Sequence, residues 1–479
     1  MVPGGSSQTR RTAVYGIKTL LLSIAFTLLA SFPALPADTL NWRTNQNRIS
    51  ADIQSGKLSA LLEQIAAATG WHVYIEPDTT HTVSAKFNDL PPGQALRLLL
   101  GDLNFALVPE TNSPPKLFVF RTAQQNATQL VRAPNKGRGK VIPNELIVTL
   151  KPGAKIDDIA SALGAKVIGR IPGLNAYRLQ FEDADAASAA RGQLAANPDV
   201  ASVDNNYTID RPASPGDSLA NGLPPPHLQL NPPPSNGRVI LGLVDTAVQP
   251  LGGDLDRFLL KALSVAGDAQ LSPDAPTHGT SMAETMLRSL EMITKGSTSV
   301  QILPVDVYGP KASTSTFDVA NGITQAINAG ANVINLSLGS EGDSPFLRDL
   351  IKDATGKGIT FFAAAGNQPV TTPFYPAAYS DLAGMFAVTA TGGSIPPTPN
   401  SQPTSLAPYA NRGSFVKLAA PGTSFISFNG QQWYSVGTSS AAAVVSGMAA
   451  GYMDFNHSTV DKMQTFIGQT FGVKITPAK

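Results

Sequence analysis

The feature that most constrains the fold is an alternation of apolar runs and helical stripes through the C-terminal half of the chain, residues 238–479. Residues 239–244 form an unbroken apolar run, which is typical of a strand buried on both faces of a parallel sheet. Comparable runs at 302–307 and 359–365 are separated by stretches with helical periodicity. Because strands that alternate with helices indicate βαβ units, we expect an α/β domain with a doubly wound, mostly parallel sheet.

The composition excludes several classes of function. Apolar residues make up 42% of the 479 residues, which is enough for sizeable cores and excludes wholesale disorder. Lys plus Arg (35) nearly equals Asp plus Glu (34), so the chain lacks the concentrated positive field that nucleic acids require. Cysteine is absent and no two of the five histidines have metal-ligand spacing, so we expect no disulfide, no thiolate nucleophile and no zinc site.

The N-terminus has the parts of a secretory signal. Arg10, Arg11 and Lys18 precede an apolar run over 19–32, and small residues follow as far as Ala37. The run has 14 residues, whereas a helix needs about 20 to cross a bilayer. We therefore predict a cleaved signal peptide at 1–37 and a periplasmic or secreted protein without a membrane span. A retained signal anchor is the alternative.

The region 38–122 predicts a small α+β domain. A helical apolar stripe over 58–66 ends at Gly70, and strand-like runs follow it. The pattern ADIQSGKLSALLEQIAAATGWHVYIEP, followed by VSAKFNDLPPGQALRLLL, resembles the short N-terminal domain of secretins and TonB proteins. That resemblance implies a module that contacts another protein of the Gram-negative envelope; a generic small α/β domain is the alternative. The basic segment 123–140 is predicted to be a solvated linker.

A second small domain is predicted at 141–210. Its pattern gives the order β-α-β-β-α-β, the ferredoxin-like plan, which by itself says nothing about function because many activities share it. The segment 211–237 that follows contains eight prolines, and we interpret it as a stiff, exposed spacer.

Three chemically important residues fall at defined places in the C-terminal pattern. Asp245 ends the first strand, His278 begins a helix before small residues, and Ser439 opens an Ala-rich helix. A serine nucleophile needs a base and a third group that orients the base. Taken singly, each of these residues has an ordinary alternative as a helix cap or a strand-end carboxylate.

Five segments together resemble the successive motifs of the subtilisin-like serine proteases, or subtilases: VILGLVDTAV, THGTSMAETM, NVINLSLGS, FFAAAGNQ and SVGTSSAAAVVSGMAA. The resemblance covers about half the chain and implies an exported serine endopeptidase that acts on protein or peptide substrates. It implies Ser439 as nucleophile, His278 as general base and Asp245 as its orienting group. The oxyanion-binding donors would be the side chain of Asn367 and the Ser439 N–H. The implied substrate-binding residues are Ser337, Leu338, Gly339, Ala365 and Gly366. We expect no cofactor, although the resemblance leaves a structural calcium ion open.

The same resemblance gives the second domain a role. It implies that 141–210 is an inhibitory propeptide that also assists folding of the catalytic domain at 238–479, so that the chain is a zymogen. We expect self-cleavage between about Ile209 and Leu230. Two departures from the family pattern are Ala247, where glycine is usual, and the segment 440–444, which lacks the usual proline and histidine. The rival hypothesis is a non-catalytic or permanently inhibited envelope protein that acts through its first domain.

Overall fold

A computed structural model describes residues 39–43, 48–77, 79, 81–109, 115–131, 140–215, 228–231, 239–395 and 402–473. The predicted signal peptide lies outside these residues, as do 132–139 of the first predicted linker and 216–227 and 232–237 of the second. Within the described ranges, none of the helices has the length and apolar character needed to cross a membrane.

The first domain contains two small sheets and two helices. Its elements are β1 (Thr39–Arg43), β2 (Arg48–Lys57), α1 (Leu58–Thr69), β3 (His72–Ile75), β4 (Thr82–Leu90), α2 (Pro92–Leu100), β5 (Asn104–Val108), β6 (Lys116–Phe120) and β7 (Gln129–Val131). The sheets have the orders β1-β2-β4 and β5-β6-β3-β7, and α1 and α2 supply much of a core of their own. Because β7 pairs with β3, the strands of this domain continue to Val131, past the predicted start of the linker at 123.

The second domain has the predicted order of elements. They are β8 (Val141–Leu150), α3 (Ile156–Ala162), β9 (Lys166–Ile171), β10 (Ala176–Gln180), α4 (Ala184–Ala196) and β11 (Val200–Asp210). Its sheet order is β11-β8-β10-β9, and β11 is five residues longer than the 200–205 strand that the sequence indicates. Three of the added residues, 208–210, pair with a strand of the third domain, which the local sequence pattern does not reveal.

The third domain is built on a parallel sheet. Its elements are β12 (Ile240–Asp245), β13 (Leu263–Ser264), α5 (His278–Thr294), β14 (Gln301–Asp306), β15 (Ser313–Ser315), α6 (Thr316–Asn328), β16 (Val333–Leu336), α7 (Pro345–Gly356), β17 (Thr360–Ala364), β18 (Met385–Ile395), β19 (Gln402–Leu406), β20 (Leu418–Phe428), β21 (Gln431–Val436), α8 (Thr438–Phe455) and α9 (Val460–Phe471). Nine of these strands form a sheet in the order β13-β14-β12-β16-β17-β18-β20-β21, with β19 beside β18, whereas β15 pairs with β11.

Helices cover both faces of this sheet. Residues of α6 and α7 pack in one core, and residues of α5, α8 and α9 pack in another. The predicted α/β fold with a doubly wound, mostly parallel sheet is therefore confirmed. Leu228 and Leu230 already pack against the second core, and Asn231 pairs with Ser297, so this domain begins before the predicted boundary at 238.

Candidate active site

A buried carboxylate–imidazole pair lies at the carboxyl end of β12, where open α/β sheets place their sites. Asp245 is the last residue of β12 and His278 is the first residue of α5. The Nδ1 atom of His278 lies 2.8 Å from Oδ1 and 3.0 Å from Oδ2 of Asp245. The two residues are 0% and 4% exposed, and the N–H of Thr246 donates to Oδ1 at 2.6 Å. The carboxylate is thus positioned to fix the orientation of the imidazole ring.

The contact between β12 and the start of α5 depends on a glycine. The N–H of Gly279 donates to Oγ1 of Thr246 at 2.8 Å. A Cβ atom at Gly279 would lie 2.2 Å from the carbonyl oxygen of Thr246. Only glycine therefore allows the helix to approach closely enough for His278 to reach Asp245.

Ser439 is the second residue of α8, where backbone N–H groups lack partners within the helix. Its hydroxyl donates to the carbonyl oxygen of Ser337 at 3.2 Å, and the Ser337 hydroxyl donates to the carbonyl oxygen of Ser439 at 3.0 Å. Among the residues that the structure describes, no hydrogen bond joins Ser439 to His278. Helices α5 and α8 nevertheless pack side by side. They run in the same direction, because a Cβ atom at Gly447 would lie 2.6 Å from the carbonyl oxygen of Met286 and one at Gly451 would lie 2.5 Å from Cγ2 of Ile293. The structure therefore brings the starts of both helices into one region.

Asn367 follows β17 and is held by the start of α8. Its Oδ1 atom accepts hydrogen bonds from the N–H of Thr438 at 2.8 Å and from the Thr438 hydroxyl at 2.9 Å. With Oδ1 occupied in this way, the amide Nδ2 is left as the group that can donate. A Cβ atom at Gly437 would lie 2.8 Å from that nitrogen, so the residue before the helix has to be glycine.

A cavity of about 560 Å³ opens beside Ser439 and Asn367. The predicted substrate-binding residues Ser337, Leu338, Gly339 and Gly366 line it, whereas the side chain of Ala365 is buried. Lining residues that sequence reasoning missed are Ser340, Glu341, Gln368 and Phe374. They lie on strand ends and connecting loops, so no hydrophobic periodicity marks them.

The tail of the second domain forms another part of this cavity. Thr208, Asp210 and Pro212 line it, and β11 pairs antiparallel with β15 through Thr208–Ser315, Ile209–Thr314 and Asp210–Ser313. The ladder continues at Arg211, whose N–H donates to the carbonyl oxygen of Ala312 at 2.9 Å. A segment of the chain thus lies as an extended strand along the rim of the candidate site.

The side chain of Arg211 anchors this tail. Its Nε and Nη2 atoms donate to the carbonyl oxygens of Lys311 at 2.8 Å and Gly309 at 2.5 Å. The guanidinium lies over the Tyr308 ring, and the Tyr308 hydroxyl donates to the carbonyl oxygen of Asp210 at 3.2 Å. Burial, reinforced by the negative charge of Asp245, holds the pKa of Tyr308 well above its usual value. The phenol therefore remains a hydrogen-bond donor to the tail at any working pH.

Comparisons with known proteins identify the family. The subtilase family matches residues 236–476, and the fervidolysin N-terminal prodomain matches 127–206. A thermophilic serine proteinase of Bacillus sp. (strain AK1) is 28% identical over 332 residues, covering 65% of this chain and 78% of that protein. Thermitase of Thermoactinomyces vulgaris is 33% identical over 214 residues, covering 44% of this chain and 72% of that protein. The solved structure of fervidolysin from Fervidobacterium pennivorans, a keratinolytic enzyme related to subtilisin, has a TM-score of 0.47 and 19% identity over 65% of this chain and 54% of that one.

The subtilase match spans half of the chain, and the prodomain match falls on the domain whose tail lies along the cavity. The chain therefore belongs to the subtilase family, as a serine endopeptidase with an N-terminal prodomain.

Proposed function

We propose that the chain cleaves peptide bonds with Ser439 as nucleophile, His278 as general base and Asp245 as the group that orients His278. The observation that carries this proposal is the buried hydrogen-bonded pair of His278 and Asp245, whose helix α5 packs against the helix that presents Ser439. A serine at a helix start beside a cavity lined by main-chain segments suits attack on an extended peptide.

The proposed reaction begins when the Ser439 hydroxyl turns from the Ser337 carbonyl oxygen toward Nε2 of His278. His278 takes the proton as Oγ attacks the peptide carbonyl carbon, and Asp245 stabilises the imidazolium. The oxyanion that forms is stabilised by Nδ2 of Asn367 and the backbone N–H of Ser439. His278 then gives the proton to the departing amine, and a water molecule hydrolyses the acyl-enzyme by the same steps in reverse.

We further propose that the prodomain inhibits the enzyme by occupying the substrate-binding groove. The antiparallel ladder from Thr208 to Arg211 on β15 is the kind of main-chain pairing that an extended substrate would make. Since Asp210 and Pro212 line the same cavity as Ser439, a substrate cannot pass until this tail leaves.

One observation supports the rival view of a permanently inhibited protein. Pro212, the tail residue that lines the cavity after Arg211, has no N–H and cannot continue a substrate-like ladder. Self-cleavage between about Ile209 and Leu230 therefore remains a prediction.

We also propose that the chain is exported to the periplasm or beyond the cell, from the signal-like segment at 1–37. The first domain then serves to contact an envelope protein, as its resemblance to the secretin and TonB short N-terminal domain implies. Structural calcium remains an open part of the family resemblance.

The experiment that tests the catalytic proposal compares the wild-type chain with Ser439→Ala. We expect the wild type, but not the variant, to react with a fluorophosphonate probe and to convert itself to a shorter form on a gel. If the wild type never reacts, even after limited proteolysis removes the prodomain, the catalytic proposal is wrong. If the wild type reacts only after the prodomain has been removed, the rival hypothesis of a permanently inhibited protein is correct.

A further inference from the structure

This inference rests on the proposed function of Ser439, because it concerns the residue of the substrate that precedes the bond cut there. We propose that Phe374 closes the pocket for that residue, so that the enzyme cleaves after small side chains such as alanine, glycine and serine.

Two main-chain segments form the walls beside the catalytic serine. One wall is 337–339, which exchanges hydrogen bonds with Ser439, and the other is 364–366, which leads to Asn367. A side chain next to the attacked carbonyl has to enter between these walls, because the carbonyl must meet both Ser439 and Asn367.

The ring of Phe374 reaches both walls. A Cβ atom at Gly339 would lie 2.5 Å from Cε1 of Phe374, and one at Gly366 would lie 3.2 Å from its Cγ. The ring therefore occupies the space between two residues that carry no side chain of their own. Phe374 is only partly buried and lines the cavity together with Ser439. It is thus the surface that an entering side chain would meet.

The backbone that carries Phe374 is fixed to the first wall. The N–H of Tyr375 donates to the carbonyl oxygen of Ser340 at 2.7 Å, and the N–H of Ser340 donates to that of Tyr375 at 2.8 Å. The carbonyl oxygen of Phe374 accepts from the N–H of Ala378 at 2.8 Å. Because main-chain hydrogen bonds hold both Phe374 and Tyr375, a large entering side chain cannot displace the ring by moving this part of the loop.

The volume of the cavity is compatible with a pocket that Phe374 closes. The cavity of about 560 Å³ also reaches Lys140 and Thr208 of the prodomain, so much of it is the groove along the tail. A single extra methylene group in an apolar pocket changes selectivity by about 10- to 200-fold. An aromatic side chain that has to enter beside the Phe374 ring should therefore be disfavoured by about 100-fold or more relative to alanine.

The test uses the full chain and two peptides that differ only in having Ala or Phe before the scissile bond. The measured quantity is the ratio of their kcat/KM values, which does not depend on how much of the enzyme is inhibited by its prodomain. We expect the wild type to prefer the Ala peptide, and Phe374→Ala to raise the Phe/Ala ratio by about 100-fold. The matched control, Phe455→Ala at the exposed end of α8, should leave the ratio unchanged.

A second measurement needs no variant. Mass spectrometry of the fragments that the wild type produces from an unfolded protein should show Ala, Gly and Ser before most cuts. Large apolar or basic residues there, or an unchanged ratio in Phe374→Ala, would overturn the inference while leaving Ser439 catalysis intact. If the wild type cuts neither peptide and does not react with a fluorophosphonate, even after limited proteolysis removes the prodomain, the proposed function fails and this inference fails with it.

Discussion

The prodomain and the first domain attach to the catalytic domain in different ways. Ile147, Ile171 and Ile209 of the prodomain belong to the same apolar core as residues of α6 and α7. The first domain has a core of its own, formed by residues between Trp42 and Val119. It meets the catalytic domain at a loop, 370–372, where residues of both domains line a cavity of about 210 Å³. The prodomain is therefore a structural part of the catalytic domain, whereas the first domain is a separate module.

The polar contacts sharpen this difference. Arg178 of the prodomain donates to Oδ2 of Asp318 at 3.0 Å, and both side chains are largely buried. The Asn206 side chain accepts hydrogen bonds from the N–H of Phe317 and the Thr316 hydroxyl, and it donates to Glu145. Thr316, Phe317 and Asp318 lie at the start of α6, so the prodomain supplies partners for polar groups at the N-terminus of a catalytic-domain helix. Substitutions at the two boundaries should consequently differ in their effect.

The largest effect is expected from Arg178→Leu in an inactive Ser439→Ala background. The change leaves Asp318 buried without its cation, which typically costs about 3–5 kcal/mol. Since 1 kcal/mol shifts the midpoint of a domain of this size by about 2–4 °C, Tm should fall by about 10 °C in calorimetry. The double variant Arg178→Leu, Asp318→Leu should recover most of the loss. Equal midpoints for the single and double variants would contradict the role of this ion pair.

The second effect concerns Asn206→Leu in the same background. The side chain is fully buried, and its loss removes the hydrogen bonds to the Glu145 carboxylate, the N–H of Phe317 and the Thr316 hydroxyl, so we expect destabilisation by about 2–3 kcal/mol. Thermal unfolding should show a midpoint lower by about 4–8 °C. Asn41→Leu, at an exposed position of β1 in the first domain, is the matched control and should change the midpoint little. Similar shifts in both variants would remove the distinction between the two domains.

A smaller, pH-dependent effect is expected at Asp204 of β11. Burial raises the pKa of its carboxyl group, and the charge of Asp349 raises it further, whereas Ser202, Arg191 and the N–H of Phe346 oppose the shift. A carboxyl pKa raised by folding contributes stability that is complete below its unfolded value of 3.8 and is lost as pH rises through the folded value. Asp204→Asn should therefore raise Tm by about 2 °C at pH 7 and give no gain near pH 3. An equal gain at both pH values would exclude titration as its cause.

The smallest effect is expected from removing the first domain. A Ser439→Ala chain without residues 38–131 should unfold within about 1 °C of the corresponding transition in the longer chain, because the two share no core. In the active enzyme the same deletion should leave the kcat/KM ratio of the two test peptides unchanged. A fall of several degrees would show that the loop contact at Val370–Thr372 stabilises the catalytic domain.

Local patterns predicted the fold better than they predicted the boundaries. The stripe that became α1 and the run that became β12 are visible because burial on one or both faces imposes a period on adjacent residues. Strand β15 has only three polar residues and exists through its pairing with β11, so no local pattern could indicate it. The long β11 was missed in its second half for the same reason.

The candidate site shows the same limit. Asp245, His278 and Ser439 each stand at the end or the start of a predictable element, so the sequence was enough to single them out. Phe374 belongs to a loop, and its proposed role depends on its contact with two glycines, Gly339 and Gly366. Both glycines belong to other segments of the chain. Such a relation is created only by the tertiary fold.

The tail of the prodomain reaches the groove on the same chain as the enzyme, and only the segment between Pro215 and Leu228 separates it from the catalytic domain. While that connection is intact, the tail that we propose as the inhibitor is present at an effective concentration of the order of millimolar, whatever the dilution of the protein. A modest affinity is then enough to keep the groove closed. Cutting the connection would make the proposed inhibition depend on concentration, so that dilution of the cut protein lowers the occupancy of the groove by the tail.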